Sequence, residues 1–282
     1  MSTVIFGMDF GREKFKDRAS EWQRKCSYPE RRVFRRGEYV DIVEYEIPAA
    51  TAAVRGRKIL WFSDLHFRGC METEALVIAE SSEFINELAP EYIVYGGDIV
   101  TYSSGLPLVR TFLQSLPEKA DKIAILGNWE YGKRWLKPKD WEKFFASAGF
   151  RLLVNKAWSS DDVFFYGVDE LRRGYPAPPE NIPANKQAVI LAHSPDAFIH
   201  ISDRDTLSRS NLVLCGHTHG GQVRVPFLGA LLTSSRYWRK FDYGLFENSQ
   251  SGSHMIVSAG LGCSTIQVRI ACRRELVLVN MV

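Results

Sequence analysis

No apolar run in the sequence approaches the ~20 consecutive residues that a membrane-spanning helix needs. The first residues also lack the apolar core of a secretory signal. Cysteine is sparse: Cys26, Cys70, Cys215, Cys263 and Cys272 are odd in number, and no two stand at C-x-x-C spacing. This argues against a disulfide framework and a thiolate zinc site, and it suits a reducing compartment. Tandem repeats and low-complexity segments are missing too. Nor is there a large excess of one charge sign, the net charge being +3. These absences predict a cytoplasmic globular protein. The lack of a broad basic face argues against nucleic acid as a partner.

What charge imbalance exists lies at one end. Residues 1–37 hold ten Lys/Arg against five Asp/Glu, and the remainder holds 26 against 28. The run Arg31-Arg32-Val33-Phe34-Arg35-Arg36 falls in this segment. Residues 1–40 therefore read as a basic, helical or irregular arm with Phe15 and Trp22 as apolar anchors. Such an arm can attract anionic lipid headgroups, at about 1 kcal/mol per basic residue near the surface, or remain a solvated surface segment. A peripheral position on a membrane is the expectation that follows from the first case. Residues 41–282 show no composition break and read as one domain.

Val40 to Ile47 alternates as a strand does. The short continuous apolar runs at 58–62, 92–95 and 122–126 suit strands buried on both faces. Helical periodicity covers 72–88 and 106–116, and Pro138 opens a further helix reaching 148. A second series of strands falls at 163–166, 188–192 and 212–215, and later ones around 243–246, 255–258 and 275–280. Residues 172–186 are a Pro-, Gly- and Asn-rich loop. Strands alternating with helices, followed by a strand-rich half, predict a layered α/β sandwich.

Five of these strands run into loops that open with Asp, Asn or His. In α/β sheets ligands bind beyond the carboxyl ends of strands, so Asp64, His66, Asp98, Asn128, His193, His217 and His219 converge on one expected site. Any one of them alone could be a turn residue. Together they hold four of the six histidines. His217 and His219, two apart, would face the same way on an extended segment. Glycines 216, 220 and 221 leave room for an anion near the backbone. A nitrogen and oxygen donor set without thiolate suits catalytic Mn, Fe or Zn.

Asp64-x-His66, Gly97-Asp98, Gly127-Asn128, His193 and Gly216-His217-x-His219 stand in the order of the calcineurin-like metallophosphoesterases, which the chain resembles over roughly residues 57–282. The stretches at 216–222, 239–245 and 260–262 resemble the bacterial branch that includes the chlamydial-type UDP-2,3-diacylglucosamine pyrophosphatase and related membrane-associated phosphodiesterases. The resemblance implies an α-β-β-α sandwich of two mixed sheets flanked by helices. It also implies two divalent metal ions, with manganese first and iron or zinc as alternatives. By motif, Asp64, His66 and His219 would hold one ion. Asn128, His193 and His217 would hold the other, and Asp98 would bridge them. Asp98, Asn128 and His193 are the implied catalytic residues, with a metal-bridging hydroxide attacking phosphorus in line. The implied substrate is a phosphorylated small molecule or lipid, with the pyrophosphate of UDP-2,3-diacylglucosamine as the specific case. A soluble phosphodiesterase or phosphatase of broad specificity is the alternative. A metal-dependent binding module without turnover is a third.

The family usually reads Gly-Asn-His, and here Trp129 takes the place of that His. Indole donates a hydrogen bond but is no acid near neutral pH, so Trp129 favours a leaving group that needs little protonation. Glu130, His200 and His254 are the remaining candidates for a proton donor. Trp129, Glu130, Lys133, Arg134 and Trp135 form an aromatic and basic loop expected to contact substrate, with Arg236 on a second rim.

Overall fold

The computed structural model of the chain describes residues 18–133 and 136–282. Two seven-stranded mixed sheets carry it. The first has the order Val33–Arg36, Val40–Ile47, Arg274–Met281, Lys58–Phe62, Tyr92–Tyr95, Asp121–Ala124, Phe150–Leu152. The second runs Trp22–Cys26, Gly244–Asn248, His254–Val257, Leu212–Cys215, Gln187–Leu191, Val163–Gly167, Lys156–Ser159. Strands 58–62, 92–95 and 121–124 are parallel neighbours, as are 163–167, 187–191 and 212–215.

The alternation of side chains along each strand explains the layers. Ile59 and Trp61 point between the sheets, where they join Val94, Ile123, Val189, Leu191 and Leu214 in one core. Leu60 and Phe62 point outward, onto helices Glu72–Leu88, Leu106–Gln114 and Pro138–Ala146 through Val77, Phe112 and Phe145. On the second sheet Ile190 and Val213 point outward, beneath helix Pro195–Ile201 with Phe198 and helix Arg204–Arg209 with Leu207. The result is the α-β-β-α sandwich. Because both faces of each sheet are covered, the strands read as unbroken apolar runs.

The structure corrects the expectation of a helical or irregular segment before residue 40. Trp22–Cys26 pairs antiparallel with Gly244–Asn248, and Val33–Arg36 pairs antiparallel with Val40–Ile47, so the segment supplies an edge strand to each sheet. Trp22 is buried against Phe198. The arginines are offset by carboxylates. Arg31 reaches Asp41 at 2.7 Å and Glu275 at 3.5 Å, Arg32 pairs with Glu44 and Glu46, and Arg35 pairs with Glu83 and Glu87. Arg36, 67% exposed, lies 3.9 Å from Asp41. Phe15 lies outside the described residues.

The helix at 138–146 stops two residues short of its expected end, and that at 106–114 also by two. In both, a serine at the C-cap turns the chain.

Candidate metal centre

The ends of strands 58–62, 92–95, 121–124, 187–191 and 212–215 bring the seven expected residues together. Asp64, His66 and His219 form one cluster whose ligand atoms all lie within 4.8 Å of one another. Asp98, His193 and His217 form a second on the same terms. Oδ2 of Asp98 stands 3.3 Å from His66 Nε2 and 3.2 Å from His193 Nε2, so this one carboxylate joins the clusters. His217 and His219 part company, one to each cluster. They do not lie on an extended segment. Both adopt positive φ, at 71° and 54°, and His219 opens a 3₁₀ turn.

Positive φ is general here. Asp64, His66 and Asp98 hold 57°, 47° and 61°. A non-glycine residue in this region is strained, and such strain gathers where side-chain direction matters more than local comfort. Glycine carries the tightest approaches. A Cβ on Gly127 would strike Asp98, and one on Gly216 would strike Asp64 and Ser63.

The donor set fits divalent cations. Both ring nitrogens of His66, Nδ1 of His219 and Oδ1 of Asn128 are buried without a hydrogen-bond partner, which is costly unless something else satisfies them. His193 Nδ1 lies 2.8 Å from the Gly96 carbonyl. That contact places a proton on Nδ1 and turns Nε2 toward Asp98 and toward His217 Nδ1, 3.2 Å away. Once Nε2 gives up its proton, these nitrogens and the Asp98 oxygen converge as donors for a cation.

The electrostatics agree. Burial alone would raise the Asp98 carboxyl, but the His193 and His66 imidazoles overturn this and hold it well below the usual carboxylate range. Burial would likewise depress His193, yet the Asp98 carboxylate pushes it up to about 10. Burial, then the neighbouring His193, lowers His217 to about 3; burial and His66 take His219 well down. His217 and His219 are therefore neutral and ready to coordinate at pH 7, while His193 must first lose a proton. Titration of the metal-free protein with Mn²⁺ at pH 8 should release about one proton and bind more tightly as pH rises toward 10. Calorimetry in buffers of unlike ionisation enthalpy reads this directly, and a buffer-independent heat would contradict it.

Glu130 is corrected by its surroundings. It is 3% exposed, and Oε2 accepts from the amides of Gly127 at 2.6 Å and Asp98 at 3.0 Å, while Oε1 accepts from Ile99 at 2.6 Å. Both oxygens are spent on the two ligand loops, so Glu130 is a positioning residue and not a substrate contact. The Trp129 amide donates to Asp98 Oδ1 at 2.9 Å, and its ring meets the His66 ring edge to face at 4.8 Å. Arg236 is exposed, and its amide donates to Asp196. Arg134 and Trp135 lie outside the described residues, as does the Lys133 side chain. Among the described residues, neither His200 nor His254 lines the cavity over the clusters.

That cavity measures about 500 Å³. Asp98, Asn128, Trp129, His217 and His219 line it, together with Arg172 and the apolar Leu231, Leu232 and Ile266. Sequence reasoning missed Arg172, whose Nη2 donates to the Ser234 carbonyl at 3.0 Å. It also missed two clamps on the ligand loops. Arg224 donates to the Gly220 carbonyl at 2.7 Å and pairs with Asp242. Arg269 donates to the Ala259 carbonyl at 2.6 Å and the Gly260 carbonyl at 3.2 Å. No local pattern announces the pairing of Arg224 with Asp242 or of Arg172 with Ser234, because those partners lie 18 and 62 residues away.

A family model described as calcineurin-like phosphoesterase matches residues 57–221. Phosphodiesterase YaeI of Escherichia coli K12 is 30% identical over 234 residues, covering 80% of this chain and 82% of that protein. Metallophosphoesterase YkuE of Bacillus subtilis 168 is 26% identical over 238 residues, covering 80% and 79%. Among solved structures, a dimetal phosphatase of Danio rerio is similar with a TM-score of 0.47 and 10% identity, covering 73% of this chain and 88% of that one.

Proposed function

The chain belongs to the calcineurin-like phosphoesterases and is a metal-dependent phosphoester hydrolase, and from that premise we propose that it cleaves phosphodiester or phosphoanhydride bonds whose leaving group is a weak base. One observation carries this reading. Among the described residues lining the cavity, the only titratable groups are the ligands Asp98, His217 and His219, and Arg172. None is free to protonate a strongly basic alkoxide, and Trp129 stands where the family's His would be.

Two bound divalent ions would offset phosphate charge and make a water-derived nucleophile available near neutral pH; we propose manganese. The chain's own groups do the rest. Asp98 stays ionised between His66 and His193. Glu130 and the Trp129 amide hold the Asp98 carboxylate and the Asn128 loop in place before substrate arrives. Arg172 offers a fixed positive charge to a non-bridging phosphoryl oxygen. The Trp129 ring and the leucine wall exclude water from the bond to be broken.

The phosphodiesterase relative supports a diester as the general class. The pyrophosphate of UDP-2,3-diacylglucosamine is the specific candidate, since its leaving group is already a weak base and its acyl chains would meet Leu231, Leu232 and Ile266. Release of UMP from that compound, lost in Asp98→Ala, is the direct trial of it.

The leaving-group idea has its own test. Across aryl phosphodiesters of graded leaving-group pKa, the wild-type rate should fall steeply as the leaving group becomes more basic. Trp129→His should flatten that slope, with gains of about 10²-fold or more on the poorest leaving groups, the usual worth of a positioned acid. A shallow slope in a chemistry-limited wild type would remove the argument.

A further inference from the structure

The wall of leucines continues out of the cavity onto the surface. Strands Arg224–Val225 and Gly229–Ala230 form a small hairpin, and Val223 bridges to Ile270 on the neighbouring segment. Gln222 Nε2 donates to the Ile266 carbonyl at 2.8 Å and lies 3.2 Å from the Val268 carbonyl, which ties the two segments into one face. Phe227, Leu228, Leu231, Leu232, Ile266 and Ile270 all stand exposed on it, Leu232 at 69% and Ile266 at 65%. Isolated exposed leucines are ordinary, but a contiguous group of this kind marks a contact surface.

The hairpin tip sharpens the reading. The Leu228 amide donates to the Val225 carbonyl at 3.1 Å, with Pro226 in the second position and Phe227 in the third at φ 65°. A turn with positive φ at its third position takes glycine or asparagine when folding alone decides. Phe227 is strained there and wholly exposed, at 107%. Among the described residues it gains no packing that would offset the strain.

Charge selects the occupant. Residues 222–241 and 263–274 contain seven Arg/Lys (Arg224, Arg236, Arg239, Lys240, Arg269, Arg273 and Arg274) and no Asp or Glu. Arg224 pairs with Asp242, Arg273 with Asp41, and Arg269 is held by the Ala259 and Gly262 carbonyls, but Arg236 is exposed and the Arg239 guanidinium lies against the hairpin at Gly229. Trp238, half exposed, stands between these arginines in sequence. Exposed apolar side chains with Arg236, Arg239 and Lys240 on the same segment, and an aromatic among them, match the boundary between headgroups and acyl chains of an anionic bilayer.

We infer that this face docks on a lipid bilayer carrying anionic headgroups, with Phe227 and Leu228 entering it and the metal cavity opening beside the membrane. Membrane contact thus falls on the hairpin face and not on Arg31–Arg36, whose charge is offset by carboxylates. The inference stands apart from the choice of substrate, because Leu231, Leu232 and Ile266 are shared by cavity and surface whatever bond is cut.

The test uses the full metal-loaded chain and substrate-free vesicles of phosphatidylcholine, alone and with one-third phosphatidylglycerol. The protein should sediment with the anionic vesicles, less with the neutral ones, and less as salt rises. Phe227→Gly combined with Leu228→Ser should weaken binding by about tenfold or more, from the apolar area withdrawn. Phe227→Gly alone should melt no lower than wild type, because the turn is relieved, and turnover of a soluble aryl phosphodiester should be unchanged in both. Failure of the wild type to bind anionic vesicles would overturn the inference, as would binding by the double variant equal to wild type. So would a wild-type dimer that the double variant dissolves while neither binds vesicles, since the face would then pair with a second copy. Loss of soluble-substrate turnover in wild type would count against the hydrolase reading alone and leave the vesicle result standing.

Discussion

Replacing Asp98 with Asn should lower kcat on an aryl phosphodiester by about 10³-fold at saturating metal. Its Oδ2 is 3.3 Å from one cluster's histidine and 3.2 Å from the other's, so no other side chain can serve both positions. Asn has the same shape but no charge, and one of its two head atoms becomes a donor facing imidazole nitrogens. The charge stabilisation that a metal pair supplies is several kcal/mol, and about 4 kcal/mol converts to about a thousandfold. Metal content after dialysis should fall together with the rate. In the metal-free variant His193 should titrate closer to an ordinary histidine, because the carboxylate that raises it is gone. Activity within tenfold of wild type would mean that the carboxylate does not join two metal positions.

The largest stability effect should come from Glu130→Ala. Removal of this carboxylate leaves the amides of Asp98, Ile99 and Gly127 buried without an acceptor. A buried unsatisfied amide costs about 1–3 kcal/mol. With partial relaxation the sum comes to about 3–5 kcal/mol. For a chain of this size that lowers Tm by about 10 °C, at 2–4 °C per kcal/mol. Glu130→Gln should fall between, since its oxygen can keep Gly127 and Asp98 while its amide group faces the Ile99 N–H. Because two ligand loops lose their common anchor, kcat should drop in both variants although Glu130 touches no substrate. Denaturation scans with the kinetics of both variants check this. An alanine variant as stable as wild type would show that the three amides find other partners.

Much of this was legible in the sequence, and the reason is local. Strands buried on both faces must be unbroken apolar runs, and each run here gives way within two residues to a Gly, Asp, Asn or His. The seven candidate ligands and the sandwich followed from that pattern. What stayed hidden depends on partners far along the chain. Arg24 and Arg31 look like solvated charge until Asp242 and Asp41 close on them, and only then does an arginine-rich stretch read as two edge strands. Glu130 read as a proton donor or substrate contact because the amides it holds include two that lie about thirty residues earlier. Strand spacing alone misjudged the mutual direction of His217 and His219, which the family motif had assigned to different ions, for a different reason. An extended backbone is the default for residues two apart, but positive φ at His217 and at His219, with Thr218 at −84° between them, sends them to opposite metal positions. The hairpin at 224–230 has strands of two residues each, too short for any periodicity to show.

The central claim is a two-ion site that hydrolyses phosphodiesters. Metal-free protein titrated with Mn²⁺, with turnover of bis(p-nitrophenyl) phosphate followed at each addition, tests it most directly. Activity should be absent at the start, rise with added metal, and level off at two equivalents per chain. Full activity at one equivalent, or turnover that persists after the metal is stripped, would contradict the account.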